Sequence, residues 1–313
     1  MTTSRSPLRD ALGDYLSLRR ALGFQLASAG RLLGQFVGYL EAHGMDAVTA
    51  EHALAWATQP AGASAHWQAI RLSVVRGFAA YLHSIDPSAE VIPAGQFRPG
   101  VCRATPYLYS DAEIRALIGA AATLQPQLRA ATYQTLISLL AISGIRIGEA
   151  IGLDDEDFDT GRELLVVRHA KYGKHRLVPL HPSAVRALAR YAEFRRHAQP
   201  RPASPALFLS TAGTRLWHSN IGLTFARLAE RAGITRRSAS CRPRIHDVRH
   251  SFAVATVLGW YRDGADIPAL MPRLSTYLGH THVADTYWYL QTTPHLMTAI
   301  ADACELFIQG EKP

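Results

Sequence analysis

The segment RIHDVRHSFAVA places His246, Arg249 and His250 at i, i+3 and i+4. On a helix that spacing brings two imidazoles and a guanidinium to one side, with Val248, Phe252 and Ala255 as an apolar opposite side. Each polar group offers N–H donors, so the face suits an anion such as phosphate; the plainer alternative is a solvated helix face. Arg146 follows the Ser143-Gly144-Ile145 break, and Glu149 stands three positions later. That pair is either a surface salt bridge of little energetic weight or a guanidinium aimed into a cleft and oriented by its carboxylate. LGHTHVADTYWYL, residues 278–290, adds His280, His282, Tyr287 and Tyr289. A phenol with a pKa near 10 is a poor nucleophile at neutral pH unless nearby cations stabilise the charge that develops.

Two metal readings compete with the anion reading. His246 and His250 have the i, i+4 spacing of zinc helices, and His280, His282 and Asp285 could complete a site. Arg249 between the ligands would repel a cation. Asp154 to Asp159 (DDEDFD) is almost all acid; such a run usually solvates a turn, and a divalent site is the less favoured reading. The basic residues are skewed: Lys171, Lys174 and Lys312 are the only lysines among 33 Lys and Arg.

These residues need elements to hold them. Leu12 to Leu22, Leu32 to Leu40 and His66 to Leu82 carry helical spacings, so the first hundred residues read as all-helical. Residues 86–106 hold four prolines and two glycines and read as a connector, leaving a domain at 1–85 and another at 107–313. The second domain opens with a Ser110–Glu113 capping box, followed by a helix from Leu128 to Ile142 that Gly144 ends. Glu163 to Arg168 and Arg176 to Leu180 read as a β-hairpin whose turn, HAKYGKH, carries Lys171 and Lys174. Helices resume over 183–197, 220–232 and 246–258. The expected class is mainly α with a small β-sheet (α+β).

The formal charge of +8 and pI of about 9.6 favour polyanionic partners. At 313 residues and 48% hydrophobic, the chain suits two globular domains. No uncharged apolar run reaches the ~18 residues that a membrane span requires. MTTSRSPLRD lacks a signal core, and Cys102, Cys241 and Cys304 are too scattered for a disulfide framework or a zinc knuckle. The expectation is a soluble, cytoplasmic protein with no membrane partner.

SGIRIGEAIGL, a lysine on the next hairpin, HDVRH, LGH and a tyrosine nine residues beyond that histidine resemble, in order and spacing, the tyrosine recombinase (phage integrase) family. Within it the chain looks most like recombinases of transposable elements, through LSTYLGHTHVADTYWYL. The resemblance implies a helical core-binding domain and a catalytic domain closing as a C-shaped clamp on duplex DNA. It implies that Arg146 and Arg249 clamp the scissile phosphate, that Lys171 protonates the leaving 5′ oxygen, and that His246 and His280 complete the donors. Glu149 would support the arginine and a neighbouring imidazole, and His250 would be structural. No cofactor or metal is implied. Lys174, Arg176, Arg242 and Arg244 are expected to contact DNA. The partners implied are a specific recombination site, other copies of the chain in a tetrameric synapse that a helix in TPHLMTAIADACELF (293–307) would join, and possible companion recombinases.

Three departures from the family stand out. The hairpin reads AKYGK, which keeps Lys174 as a rival to Lys171, and Ser143 replaces the usual threonine. The interval from Arg249 to His280 is longer than is common, and GWYRDGADIPALMPRL within it reads as a surface excursion. On one unbroken helix Tyr287 would face His280 at i+7, with Tyr289 about 180° away. Gly279 and the polar THVAD segment instead argue for a break after His280, with Asp285 capping a new helix. Family spacing then favours Tyr289 as nucleophile, with Tyr287 packed against the core. Alternatives are a type IB topoisomerase-like relaxing enzyme and a non-catalytic DNA-binding protein of the same fold.

Overall fold

The computed structural model describes residues 6–97, 105–168, 175–280, 282 and 284–290, the last three by backbone alone. The chain divides into two compact units, Met1–Cys102 and Arg103–Pro313. Lys171 and Lys174, expected on the hairpin turn, and the expected 293–307 helix lie outside the described residues.

Among its described residues the first unit holds four helices, α1 (Pro7–Ala21), α2 (Ala27–Ala42), α3 (Ala50–Thr58) and α4 (Ala65–Ile85). Ser6, Thr49 and Ser64 cap the first, third and fourth by accepting from backbone N–H groups three positions on. Their apolar faces close over Leu33, Phe36, Val37, Trp56, Leu72, Val75 and Phe78. Part of the expected connector belongs to this unit, because Ile92 is buried in the same core.

In the second unit, Ser110 and Glu113 form the expected capping box of α5 (Asp111–Ala122). It packs on α6 (Gln127–Ser143), followed by α7 (Ile147–Gly152). Three short antiparallel strands, β1 (Phe158–Asp159), β2 (Leu164–Val167) and β3 (Arg176–Pro179), lie in the order β1-β2-β3. Val167 pairs with Arg176, and alternation buries Leu165, Val167 and Val178 while Leu177 points outward. The remaining helices are α8 (Pro182–Ala198), α9 (His218–Arg231), α10 (Asp247–Arg262), α11 (Ile267–Leu278) and α12 (Ala284–Leu290). The chain is mainly α with a small sheet, as its sequence suggested.

Two expectations are corrected here. The 259–274 stretch is no surface excursion: it supplies the end of α10 and most of α11, whose Met271, Leu274 and Leu278 are buried against Ala253, Val254 and Val257. Four of the five acids in the run meet arginines and are not left to water alone, with Asp154 paired to Arg215, Asp155 to Arg195, and Glu156 and Asp157 sharing Arg168. Among the described residues no group of three His, Cys, Asp or Glu side chains is placed to hold a metal ion, and no helix is long and apolar enough to cross a membrane.

Candidate active site

The centre of the site is the C-terminal end of α11. A helix end leaves its last carbonyls without intrahelical partners and carries partial negative charge. Here three consecutive carbonyls each receive a different arginine. Arg176 Nε donates to Tyr277 O at 3.1 Å, Arg249 Nη2 to Leu278 O at 2.7 Å, and Arg146 Nη2 to Gly279 O at 2.9 Å. Residues far apart in sequence, on the loop before α7, on β3 and on α10, are thereby drawn to one point.

Gly144 makes this convergence possible. It ends α6 in the left-handed region at φ 59°, and a Cβ there would lie 2.3 Å from Phe252 Cδ1. Its carbonyl accepts from Arg249 Nη1 at 2.6 Å, so the break after α6 also orients the α10 arginine. Arg146 stands at the N-cap of α7, where Glu149 accepts from its backbone N–H at 2.9 Å and from its Nη1 at 2.8 Å. Arg146 keeps 29% of its side chain exposed, whereas Glu149 keeps 6%. Burial alone would raise the Glu149 carboxyl, but the hydrogen bonds and charges of Arg176 and Arg146 outweigh it and hold the pKa at about 2.

The polar side of α10 is not a solvated face. Arg249 and His250 are almost wholly buried, while Ala255, expected on the apolar side, is exposed. Burial, then the adjoining His246, lowers the His250 pKa to about 3, and its Nδ1 lies 3.4 Å from the His246 carbonyl. Burial and the Arg249 charge lower His280 to about 4. Both are neutral imidazoles at physiological pH. Arginine has only donors, so the 2.9 Å contact between Arg249 Nη2 and His280 Nε2 makes Nε2 the acceptor. The proton then sits on Nδ1, 2.7 Å from Thr286 Oγ1. His246 stands at the start of α10 with its outer edge exposed; desolvation by the surrounding chain and the Arg249 charge lower its pKa.

The structure brings together Arg146, Glu149, His246, Arg249, His250 and His280 from the candidates read in the sequence. Arg242 is exposed, and Arg244, 43% exposed, is held by both oxygens of the buried Asp247. Arg176, expected at a DNA surface, is turned inward with 12% of its side chain exposed. Glu149 pairs with this second arginine instead of an imidazole. Strand parity carried the signal: Arg176 shares the face of the buried Val178. Thr286 and Asp247 are not among the residues read from the sequence; Thr286 meets His280 across the break between α11 and α12, and Asp247 holds Arg244 three positions earlier.

His280 lies beyond Gly279, which ends α11 in the left-handed region, and α12 begins at Ala284. The helix is therefore broken between His280 and the tyrosines. Asp285 sits within the first turn of α12 instead of at its cap. Tyr287 is 45% exposed, not packed against the core; the Tyr289 side chain lies outside the described residues.

Comparison with known proteins accords with this geometry. Residues 108–295 match the Phage integrase family. A putative integrase/recombinase, y4rB of Sinorhizobium fredii (strain NBRC 101917 / NGR234), is 44% identical over 93% of this chain and 95% of its own length. The tyrosine recombinase XerD of Bifidobacterium longum (strain NCC 2705) is 28% identical over 95% of this chain and 96% of its own. The integrase of transposon Tn1549, solved in complex with transposon right end DNA, shares the fold with a TM-score of 0.58 at 18% identity, covering 95% of this chain and 99% of that one. With residues 108–295 matched to the family and these relatives aligned over nearly their whole length, the chain belongs to the phage integrase family and is a tyrosine-type site-specific DNA recombinase.

Proposed function

We propose that this recombinase cleaves and rejoins duplex DNA at a specific site through a 3′-phosphotyrosyl link to Tyr289, in the service of a mobile element. The observation that carries the reading is the convergence of Arg146 and Arg249, with His280, on the end of α11. Attack on a phosphodiester builds charge on the non-bridging oxygens, and preorganised cationic donors stabilise that charge. The Tyr289 oxygen gives up its proton to water and forms a bond to phosphorus as the bond to the 5′ oxygen breaks. That oxygen leaves as a hydroxyl with a proton from Lys171. The phosphotyrosyl link conserves the bond energy, so the reverse attack rejoins the strand without ATP.

Helical periodicity supports Tyr289 over Tyr287. Thr286, wholly buried, meets His280, and position 289, three residues on, shares its side of α12. Position 287 is rotated by about 100° from Thr286. The helical first unit would add DNA contacts of its own, and the strand-exchange complex would be a tetramer acting in the cytoplasm. The relative named as an integrase and the transposon integrase of shared fold support a mobile-element role.

The test begins with a randomised pool of nicked duplexes, from which covalent trapping on the full chain recovers the cleavage site. A plasmid bearing two copies of that site should recombine, and one bearing none should remain supercoiled. Relaxation of the site-free plasmid would favour a topoisomerase; failure to trap any duplex would favour a binding protein.

A further inference from the structure

Arg176 has no assigned part in this chemistry, yet it is tied to more of the site than a packing residue needs to be. Its Nη1 and Nη2 donate to the two oxygens of Glu149 at 2.8 and 2.7 Å, a bidentate pair, while its Nε donates to Tyr277 O. Glu149 in turn receives Arg146 through both side chain and backbone. Gly279 is shaped to the same guanidinium: a Cβ there would lie 3.0 Å from Arg176 Nη1 and 3.2 Å from Cζ. One side chain on β3 thus joins the hairpin, the start of α7 and the turn that leads into His280.

We propose that Arg176 is a positioning residue for strand cleavage, which holds Glu149 so that this carboxylate aims Arg146 without neutralising it, and which fixes the Tyr277–Gly279 turn. A lone Arg146–Glu149 pair would have no net charge and would present the phosphate with a neutral partner. With Arg176 occupying both carboxylate oxygens, two guanidiniums share one carboxylate and the trio stays cationic. The inward arginine therefore offsets the carboxylate, and the more exposed one remains for the phosphate. This inference rests on the reading of Arg146 as a phosphate clamp.

The experiment is single-turnover cleavage of the trapped nicked duplex by full-length protein at saturating concentration, so that loss of affinity or of folded fraction is separated from loss of rate. Arg176→Met should slow cleavage roughly 100-fold, the scale expected when a reacting geometry is displaced by about 1 Å. Arg176→Lys, which keeps the charge but not the bidentate fork, should recover part of that rate. The double variant Arg176→Met/Glu149→Gln should be no slower than the slower single variant, because the two residues act through one contact. In Arg176→Lys the acid limb of the pH–rate profile should also move upward, as Glu149 keeps a cationic partner but loses one of the two hydrogen bonds that favour its charged form. A wild-type saturating rate in Arg176→Met, or additive losses in the double variant, overturns the proposal. If Arg176→Met does not fold, a wild-type rate and acid limb in Arg176→Lys does the same. Arg146→Ala in parallel separates the two claims: its full activity would remove the clamp reading itself, whereas its loss beside an active Arg176→Met would remove only the role of Arg176.

Discussion

Gly144→Ala tests how tightly the break after α6 is coupled to the site. A side chain there is held at φ 59°, and its Cβ meets Phe252 Cδ1 at 2.3 Å. The left-handed conformation costs a non-glycine residue about 1 kcal/mol, and displacing a packed ring adds ~1–3 kcal/mol, for a total of about 3 kcal/mol. Each kcal/mol lowers the melting temperature of a 150–250-residue unit by roughly 2–4 °C, so calorimetry should show a drop of roughly 6–12 °C in the second unit. Phe252 stacks on Tyr277, whose carbonyl receives Arg176; the displacement should therefore slow cleavage even at temperatures where the protein stays folded. Adding Phe252→Ala should relieve the clash but create a cavity, leaving stability below wild type. Gly148→Ala is the control: nothing lies within 4 Å of its Cβ position, and helix propensity favours alanine by ~1 kcal/mol. A Gly144→Ala protein that melts within 1 °C of wild type, by the same roughly 2–4 °C per kcal/mol scale, would refute the reasoning.

Acid should destabilise the fold in a defined window. The unfolded chain binds protons at His250 and His280 as pH falls below about 6.5, whereas the folded protein resists until about 3 and about 4. Stability present above 6.5 is thus lost as pH falls, at about 1.4 kcal/mol per pH unit for each group, and Glu149 adds to the loss between 4.5 and about 2. Urea unfolding at pH 7.5, 6 and 5 should show the decline, and a flat profile would contradict it. Strand cleavage should persist in EDTA, while Arg146→Ala and Arg249→Ala should each cost at least 100-fold in rate, the scale of one lost transition-state donor; inhibition by EDTA reversed by added zinc would restore the metal reading. Lys171→Ala should be rescued by a 5′-bridging phosphorothiolate, which needs no general acid; rescue of Lys174→Ala in its place would move the role to that lysine.

Much of the site was legible because its residues lie in short segments with helical or turn spacing. HDVRH and the Gly144 break read directly, and so did the interruption after His280. The burial of Arg249 and His250 was not legible, because the carbonyls that satisfy Arg249 belong to α11 and to the end of α6. Periodicity assumes that polar groups seek water, and here they found another helix's C-terminus. The α11 helix itself was hidden by Pro268 and Pro272. The first occupies the opening turn, where a proline loses no needed donor, and the second is tolerated within a helix anchored by Met271, Leu274 and Leu278. The nine-residue α3 was too short and alanine-rich to show a clear stripe. The charge of Arg176 beside a hairpin turn suggests a DNA surface, whereas the alternation of RLVPL places it on the face of the buried Val178.

The most direct measurement is covalent trapping of the full-length protein on its nicked site with Tyr289→Phe and Tyr287→Phe in parallel. Tyr289→Phe should lose the DNA adduct and keep specific binding, and Tyr287→Phe, at a residue 45% exposed, should retain both. An adduct that survives Tyr289→Phe and disappears with Tyr287→Phe would contradict the assignment of the nucleophile.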